Sequence, residues 1–327
     1  MKKMLVIAVA AALVAPAAAM ADTTLYGKLH ASVGSVDNGA GSETIVESHA
    51  SRLGVKGSTE LDNGLSATYG LEYGLNLDGD SSRALSARNT FAGVKGGFGE
   101  VRIGRHDTPA KLATAGLDAF ADTYGAMENI IATDGHRVDN AVAYINKFGP
   151  VGFAIAHSTA PLNEDVGAAV DTAANTAMVN YGNGPMYAGL GYTDVKNVGS
   201  TANLGLGWKA EAGHFANLVY EQAEGDGANT AAVASATGIP AAGAKDTNVY
   251  VAGGYKTGAA TLKVGYGEGK RDGAGKEKQT SVGVDYSLGK KTSAYLLWNE
   301  DKNLSRAAVE ASTDKQTATV VGIVSEF

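Results

Sequence analysis

The sequence predicts an all-β fold: a 16-stranded antiparallel transmembrane β-barrel, closed on itself, with one long loop, the third, folded into the lumen. Three observations predict it. Apolar and polar residues alternate over runs longer than soluble strands use, tight Gly-centred turns alternate with longer polar connections, and these connections join an even number of strands.

The alternation is clearest from Leu65 to Leu77. Leu65, Ala67, Tyr69, Leu71, Tyr73, Leu75 and Leu77 form one face, with Ser66, Thr68, Gly70, Glu72, Gly74 and Asn76 between them. A helix would place apolar residues three and four apart, so a strict period of two means a strand with one face in an apolar medium and the other in water. The same pattern recurs at Leu25, Leu29 and Val33, at Leu204, Leu206 and Trp208, at Val282, Val284, Tyr286 and Leu288, and at Val321, Ile323 and Phe327. Strands in globular proteins cluster near about 5–6 residues, whereas bilayer-crossing strands need about 9–11. The runs here are of the longer kind. Their polar face, rich in Gly, Ser, Thr, Asn and charged residues, suits a water-filled interior better than a packed core.

Seven tight turns are expected, each built on Gly that tolerates positive φ: Asp62-Asn63-Gly64, Gly96 to Gly99, Phe148-Gly149-Pro150, Asn183-Gly184-Pro185, Glu211-Ala212-Gly213, Thr257-Gly258 and Leu288-Gly289-Lys290. Eight loops are expected near 36–48, 78–84, 105–136, 158–175, 194–201, 224–246, 268–278 and 300–314. Together they join sixteen strands with both termini on the turn side. An even count lets the first and last strands pair, which removes the edges that lipid cannot solvate. Sixteen strands also leave an aqueous bore, where eight would be filled by their own side chains.

Composition sets the outer bounds. The 327 residues carry no Cys, so no disulfide framework, thiolate metal site or thiol nucleophile is available. The formal charge of −7 argues against a nucleic-acid partner, which requires a basic surface. Lys2 and Lys3, the apolar run Met4 to Val14 and the small residues of Ala19-Met20-Ala21 before Asp22 read as a cleaved secretory signal peptide over residues 1–21. Residues 22–327 are then a single barrel domain of charge −9, once the two lysines are lost.

The third connection, Arg105 to His136, differs from the others. Pro109 to Ala113 and Gly116 to Tyr124 are expected to form short helical turns with Leu117, Phe120 and Tyr124 on one face, so the loop is expected to lie on a wall. Parity puts Arg52, Lys56 and Arg102 on the polar side of their strands. Arg88 precedes an apolar stretch containing Phe91, and Arg137 opens a strand out of phase with Val138 and Val142. Charges facing lipid at mid-membrane cost roughly 2–4 kcal/mol. These five residues are therefore expected inside the barrel as one basic wall, opposed by Asp118, Asp122, Glu128 and Asp134 of the loop.

Several stretches resemble the Gram-negative general diffusion porins, and most closely the neisserial branch: Asp22 to Gly27, Ser51 to Gly57, Arg88 to Gly96 and the terminal Phe327. The resemblance implies an outer-membrane homotrimer of sixteen-stranded barrels with loop three folded inward as an eyelet, and passive diffusion of ions and small hydrophilic solutes. It further implies that Arg52, Arg88 and Arg137 stand at constriction positions, and that Phe327 is the assembly signal read by the barrel-insertion machinery.

Other functions find less support in the residues. The six His are scattered without a Ser elbow or helix-spaced pair, so neither catalysis nor a metal site is expected, and no cofactor. Gly205-x-Gly207 and Gly253-Gly254 read as strand glycines packed against neighbouring backbone. The alternatives are a substrate-selective channel, against which Tyr69, Tyr73, Trp208 and Tyr286 fall on the lipid side by parity, and a secondary adhesin role for the loop at 228–244. A modest anion preference is expected from the basic wall.

Overall fold

A computed structural model describes residues 23–39, 41–79, 85–159, 173–226, 238–272, 275–303 and 315–327. The expected signal segment lies outside the described residues, as do most of the loops at 158–175 and 300–314 and much of 228–244.

The chain forms β1 (Thr24–Asp37), β2 (Ser42–Ser48), β3 (Arg52–Glu60), β4 (Ser66–Leu75), β5 (Leu85–Gly96) and β6 (Gly99–Asp107) before the third loop. After it come β7 (Arg137–Phe148), β8 (Val151–Ser158), β9 (Ala174–Asn183), β10 (Met186–Val195), β11 (Gly199–Lys209) and β12 (Phe215–Gly225). The remainder is β13 (Lys245–Thr257), β14 (Ala260–Arg271), β15 (Lys276–Ser287), β16 (Thr292–Lys302) and β17 (Lys315–Glu326). Apart from β2 and β3, sequence neighbours pair antiparallel, and β17 pairs back onto β1 from Lys28↔Glu326 to Asp37↔Thr317, which closes the barrel. β2 and β3 both pair with β1 and are two halves of one wall strand, so the segments make sixteen barrel strands.

All seven expected turns join the strands they were assigned to. Three connections are shorter than expected, one of them 268–278, which shrinks to residues 272–275 between β14 and β15. The stretch 36–48 is mostly strand, with only residues 38–41 between β1 and β2, and 194–201 shrinks to residues 196–198 between β10 and β11. The polar residues Ser42 to Ser48 looked like loop because their strand rises at the loop end, where neither face needs to be apolar.

The outward face carries the apolar residues of the alternation, among them Leu71, Ile103, Ile155, Leu190, Val264 and Ile323, all exposed on the isolated barrel. Exposed aromatics cluster toward the turn end, at Phe148, Tyr181, Trp208, Tyr255 and Tyr286, a placement suited to the membrane interface.

Three strand pairs depart from a regular ladder, each by one extra residue. Between Lys28↔Arg52 and Ala31↔Ser48 the second wall strand gains one at His49–Ser51, where Ala50 has φ 46°. β5 gains one at Arg88–Asn89, between Leu71↔Thr90 and Tyr73↔Ala87. β7 gains one at Asp139–Asn140, between Gly104↔Ala141 and His106↔Val138, with Asn140 at φ 49°. Such bulges re-aim side chains and are enriched next to functional sites.

Candidate functional site

Loop three leaves β6 through α1 (Pro109–Thr114), whose N-cap Thr108 accepts the Lys111 amide at 3.0 Å and whose first residue is Pro. Short 3-10 turns follow at Ala115–Leu117, Met127–Asn129 and Ala132–Gly135. The loop crosses the lumen and lies against the inner face of the opposite wall. Asn203 donates to the Ala110 carbonyl at 3.1 Å, the Tyr187 hydroxyl to Ala113 at 2.8 Å, Asn217 to Leu117 at 2.8 Å, and Lys263 to Ala119 at 2.7 Å. Further along, the Glu221 carboxylate accepts the amides of Ala132 and Thr133 at 2.8 and 2.9 Å. These bonds satisfy loop backbone that would otherwise be buried without partners.

The wall beneath the loop is smooth because glycines line it. A Cβ on Gly189 would collide with the Ala113 carbonyl, and one on Gly191 would come within 2.7 Å of the Ala110 α-carbon. One on Gly205 would come within 2.5 Å of Leu117, and one on Gly267 within 2.6 Å of Ile130. Gly205 and Gly207 therefore make room for loop three and not, as expected, for neighbouring backbone. Leu117, Met127 and Ile130 pack with Val219 and Tyr250, while Phe120 packs with Tyr295 and Leu297, so the expected single apolar face is split between two clusters.

Opposite the loop stand the basic residues. The Arg88 Nε meets Glu72 Oε1 at 2.6 Å, and Arg52 lies 4.0 Å from the same carboxylate and 3.5 Å from Asp122 of the loop. Lys28 reaches Asp122 at 2.7 Å. Arg102 forks onto Glu100 at 2.7 and 3.0 Å, bonds His106 at 2.8 Å and lies 4.1 Å from the centre of the Phe91 ring. Arg137 meets Asp107 at 3.1 Å at the root of the loop, beside Lys111 at 3.2 Å from the same carboxylate. Lys56 holds its ammonium 4.9 Å from the Tyr26 ring centre.

The four loop acids do not act alike. Asp122 reaches the basic wall. Burial alone would raise its carboxyl, but Lys28 and then Arg52 and Arg88 outweigh that and hold it below the usual range. Asp118 turns into the loop itself, accepting the Phe120 and Met127 amides at 2.8 and 2.9 Å, and burial pushes it up to about 6. Glu128 is exposed beside Glu47 and Asp122. Asp134 belongs to the turn Ala132–Gly135, and its side chain lies outside the described residues. Sequence reading missed Lys28, Glu72, Glu100 and Asp107. Glu72 and Lys28 were findable, since both occupy the polar phase of their strands.

A closed barrel of sixteen strands with an inward loop facing arginines matches what known families contain. The family model for Gram-negative porins matches residues 8–304. This chain belongs to the Gram-negative porin family. The porin is 29% identical to the major outer membrane protein P.IB of Neisseria lactamica, over 96% of this chain and 98% of that one. A 129-residue stretch is 39% identical to P.IB of Neisseria gonorrhoeae, covering 37% of this chain and 36% of that protein. Among solved structures the porin is similar to an anion-selective porin from Comamonas acidovorans, with TM-score 0.75 and 22% identity over 93% of this chain and 99% of that one. It is also similar to OmpF of Salmonella typhi, with TM-score 0.72 and 17% identity over 93% and 97%. The porin is an outer-membrane passive diffusion channel, and its family is one of channels rather than enzymes.

Proposed function

We propose that the basic wall and loop three form the constriction of this channel, and that it passes anions somewhat more readily than cations. The observation that carries this reading is the crowding of Lys28, Arg52, Arg88, Arg102 and Arg137 around fewer carboxylates, with Glu72 shared by two arginines and Asp122 by Arg52 and Lys28. Arg137 and Lys111 likewise share Asp107. Screening acts over about 8 Å at physiological salt, a distance comparable to a constricted passage, so an ion inside feels the excess. Most of the net negative charge then belongs to rims and outer loops.

Assembly as a homotrimer fits the small outward residue Ala31 of β1, and the similar OmpT of Vibrio cholerae is described in a trimer form. Without cysteine the trimer would withstand reductant and fall to monomers on heating in detergent. Outer-membrane lipid surrounds it, and Phe327 is the residue offered to the barrel-insertion machinery. Residues 1–21 direct export and are removed.

Reversal potentials in a KCl gradient across planar bilayers test the selectivity. Wild-type channels should give a potential of the anion-preferring sign, and Arg52→Ser with Arg137→Ser together should move it toward cations, since Glu72 and Asp107 each lose a partner. The shift should fade at high salt. An unchanged potential at low salt would take these residues out of the constriction.

A further inference from the structure

Below loop three, on the turn side of the lumen, lies a cavity of about 700 Å³ that the constriction does not use. Its roof is Leu112, Gly116 and Leu117 of the loop, and its wall presents the rings of Tyr187 and Phe215. Both rings point inward, unlike the aromatics that the alternation placed on the lipid side. The Phe215 ring lies against Gly254, where a Cβ would come within 2.5 Å of its Cζ, and the Tyr187 hydroxyl is tied to the Ala113 carbonyl at 2.8 Å. Two rigid aromatic faces are thus held in water by contacts of their own.

Three lysines share this space: Lys209, Lys256 and Lys263. Lys263 is committed, with Asp285 at 2.8 Å and the Ala119 carbonyl at 2.7 Å. Among the described residues neither Lys209 nor Lys256 forms an ion pair, and the Lys256 stem runs across Gly213, where a Cβ would come within 2.6 Å of its Cδ. Asp118 borders the cavity but spends its oxygens on loop amides. Positive charge is left over beside aromatic and aliphatic surface.

We propose that this cavity is a binding subsite for organic anions that join a carboxylate to an aromatic or branched apolar body. Small-molecule sites typically enclose roughly 300–1,000 Å³ and combine apolar lining with a few placed polar groups. An inorganic anion would gain nothing from Leu112, Leu117 and Phe215, an uncharged sugar has no need of two spare ammonium groups, and organic cations are repelled. A solute leaving the constriction on the turn side would dwell there before release. The proposal rests on the channel reading and adds a solute class to it.

Single-channel recording tests it, with 3-phenylpropionate added from the turn side and acetate and benzyl alcohol as comparisons. Conductance in KCl alone scores the channel reading separately, because a subsite that fails leaves that conductance in place. Phenylpropionate should produce saturable current noise or partial block, and acetate and benzyl alcohol should not. Lys209→Gln with Lys256→Gln should weaken the half-blocking concentration about fivefold, and Phe215→Leu should weaken it by a similar factor. Lys290→Gln in a turn serves as the neutral comparison. Equal block by acetate, or block unchanged by both the lysine pair and Phe215→Leu, would overturn the proposal.

Discussion

Phe327 and Gly27 bond to each other twice: the Gly27 amide donates to the Phe327 carbonyl at 3.2 Å, and the Phe327 amide donates to the Gly27 carbonyl at 3.1 Å. The last residue of the chain therefore closes the ladder with the first strand, and its ring covers the α-carbon of Gly27 on the outer face. Gly27→Leu should push that ring away and lower the temperature at which the folded band is lost in detergent gels. The overpacking cost is about 1–3 kcal/mol. Gly97→Ala, where an added Cβ would meet nothing within 4 Å, should leave the transition in place.

The glycine wall makes a second prediction. Gly189→Val puts a side chain against the backbone of α1, which cannot swing aside as a side-chain tip could. Loop three should lift, raising open-channel noise and loop cleavage by added protease. Gly116→Ala, on the loop's open side, is the comparison and should change neither.

Glu221 holds the far end of the loop. Glu221→Gln replaces one of two acceptor oxygens by an amide that faces the Ala132 or Thr133 N–H, leaving a buried donor unmatched at a cost of about 1–3 kcal/mol. Hydrogen exchange at Ala132 and Thr133 should accelerate, while amides in α1 stay protected. Equal exchange at both ends would mean that the clamp does not act locally.

The seating of the loop should depend on pH in a defined window. Asp118 has its carboxyl raised from 3.8 to about 6 by burial, so the seated loop binds more protons than the free loop between those values. Its contribution is full below 3.8 and is lost as pH rises through 6. Asp122 shifts the opposite way, and its contribution is present above the free-chain value and lost only in stronger acid. Open-channel noise should therefore grow from about pH 4 to about pH 6 and then level off. Asp118→Asn should flatten that dependence.

Glu72 neutralises two arginines at once. Glu72→Gln should free Arg52 and Arg88 and strengthen the anion preference read from the zero-current potential at low salt. A move toward cations would place Glu72 outside the ion path.

Much of this architecture was legible because lipid and water impose a period of two. The turns at Asn63-Gly64, Gly149-Pro150 and Gly258 could be placed from their residues alone. The rule failed where a bulge intervened. Arg88 and Phe91 are three apart yet both point inward, because β5 carries an extra residue between them. Val138 is buried against Val195 and Ile239 while Val142, four residues on, is exposed, because β7 bulges between them. One local residue count resets the phase, and no composition signal marks it. The basic wall was visible as residue types, but most of its pairing was not, since Glu72 meets Arg52 and Arg88 through cross-strand register, whereas Glu100 and Arg102 sit two apart on one strand.

The seat of loop three also constrains the order of assembly. Its partners Asn203, Asn217, Glu221, Lys263 and Gln279 belong to four different strands, all later in the chain than the loop itself. Contacts of such sequence separation form late, after the entropy of closing the intervening chain has been met. A fluorescent label on Leu112, on the exposed side of the seated helix, should accordingly report docking of the loop, as a loss of label mobility, after strand pairing is complete during refolding into vesicles. The nascent barrel would first exist as an open tube, leaking ions more freely than the finished protein, and would acquire its restriction last.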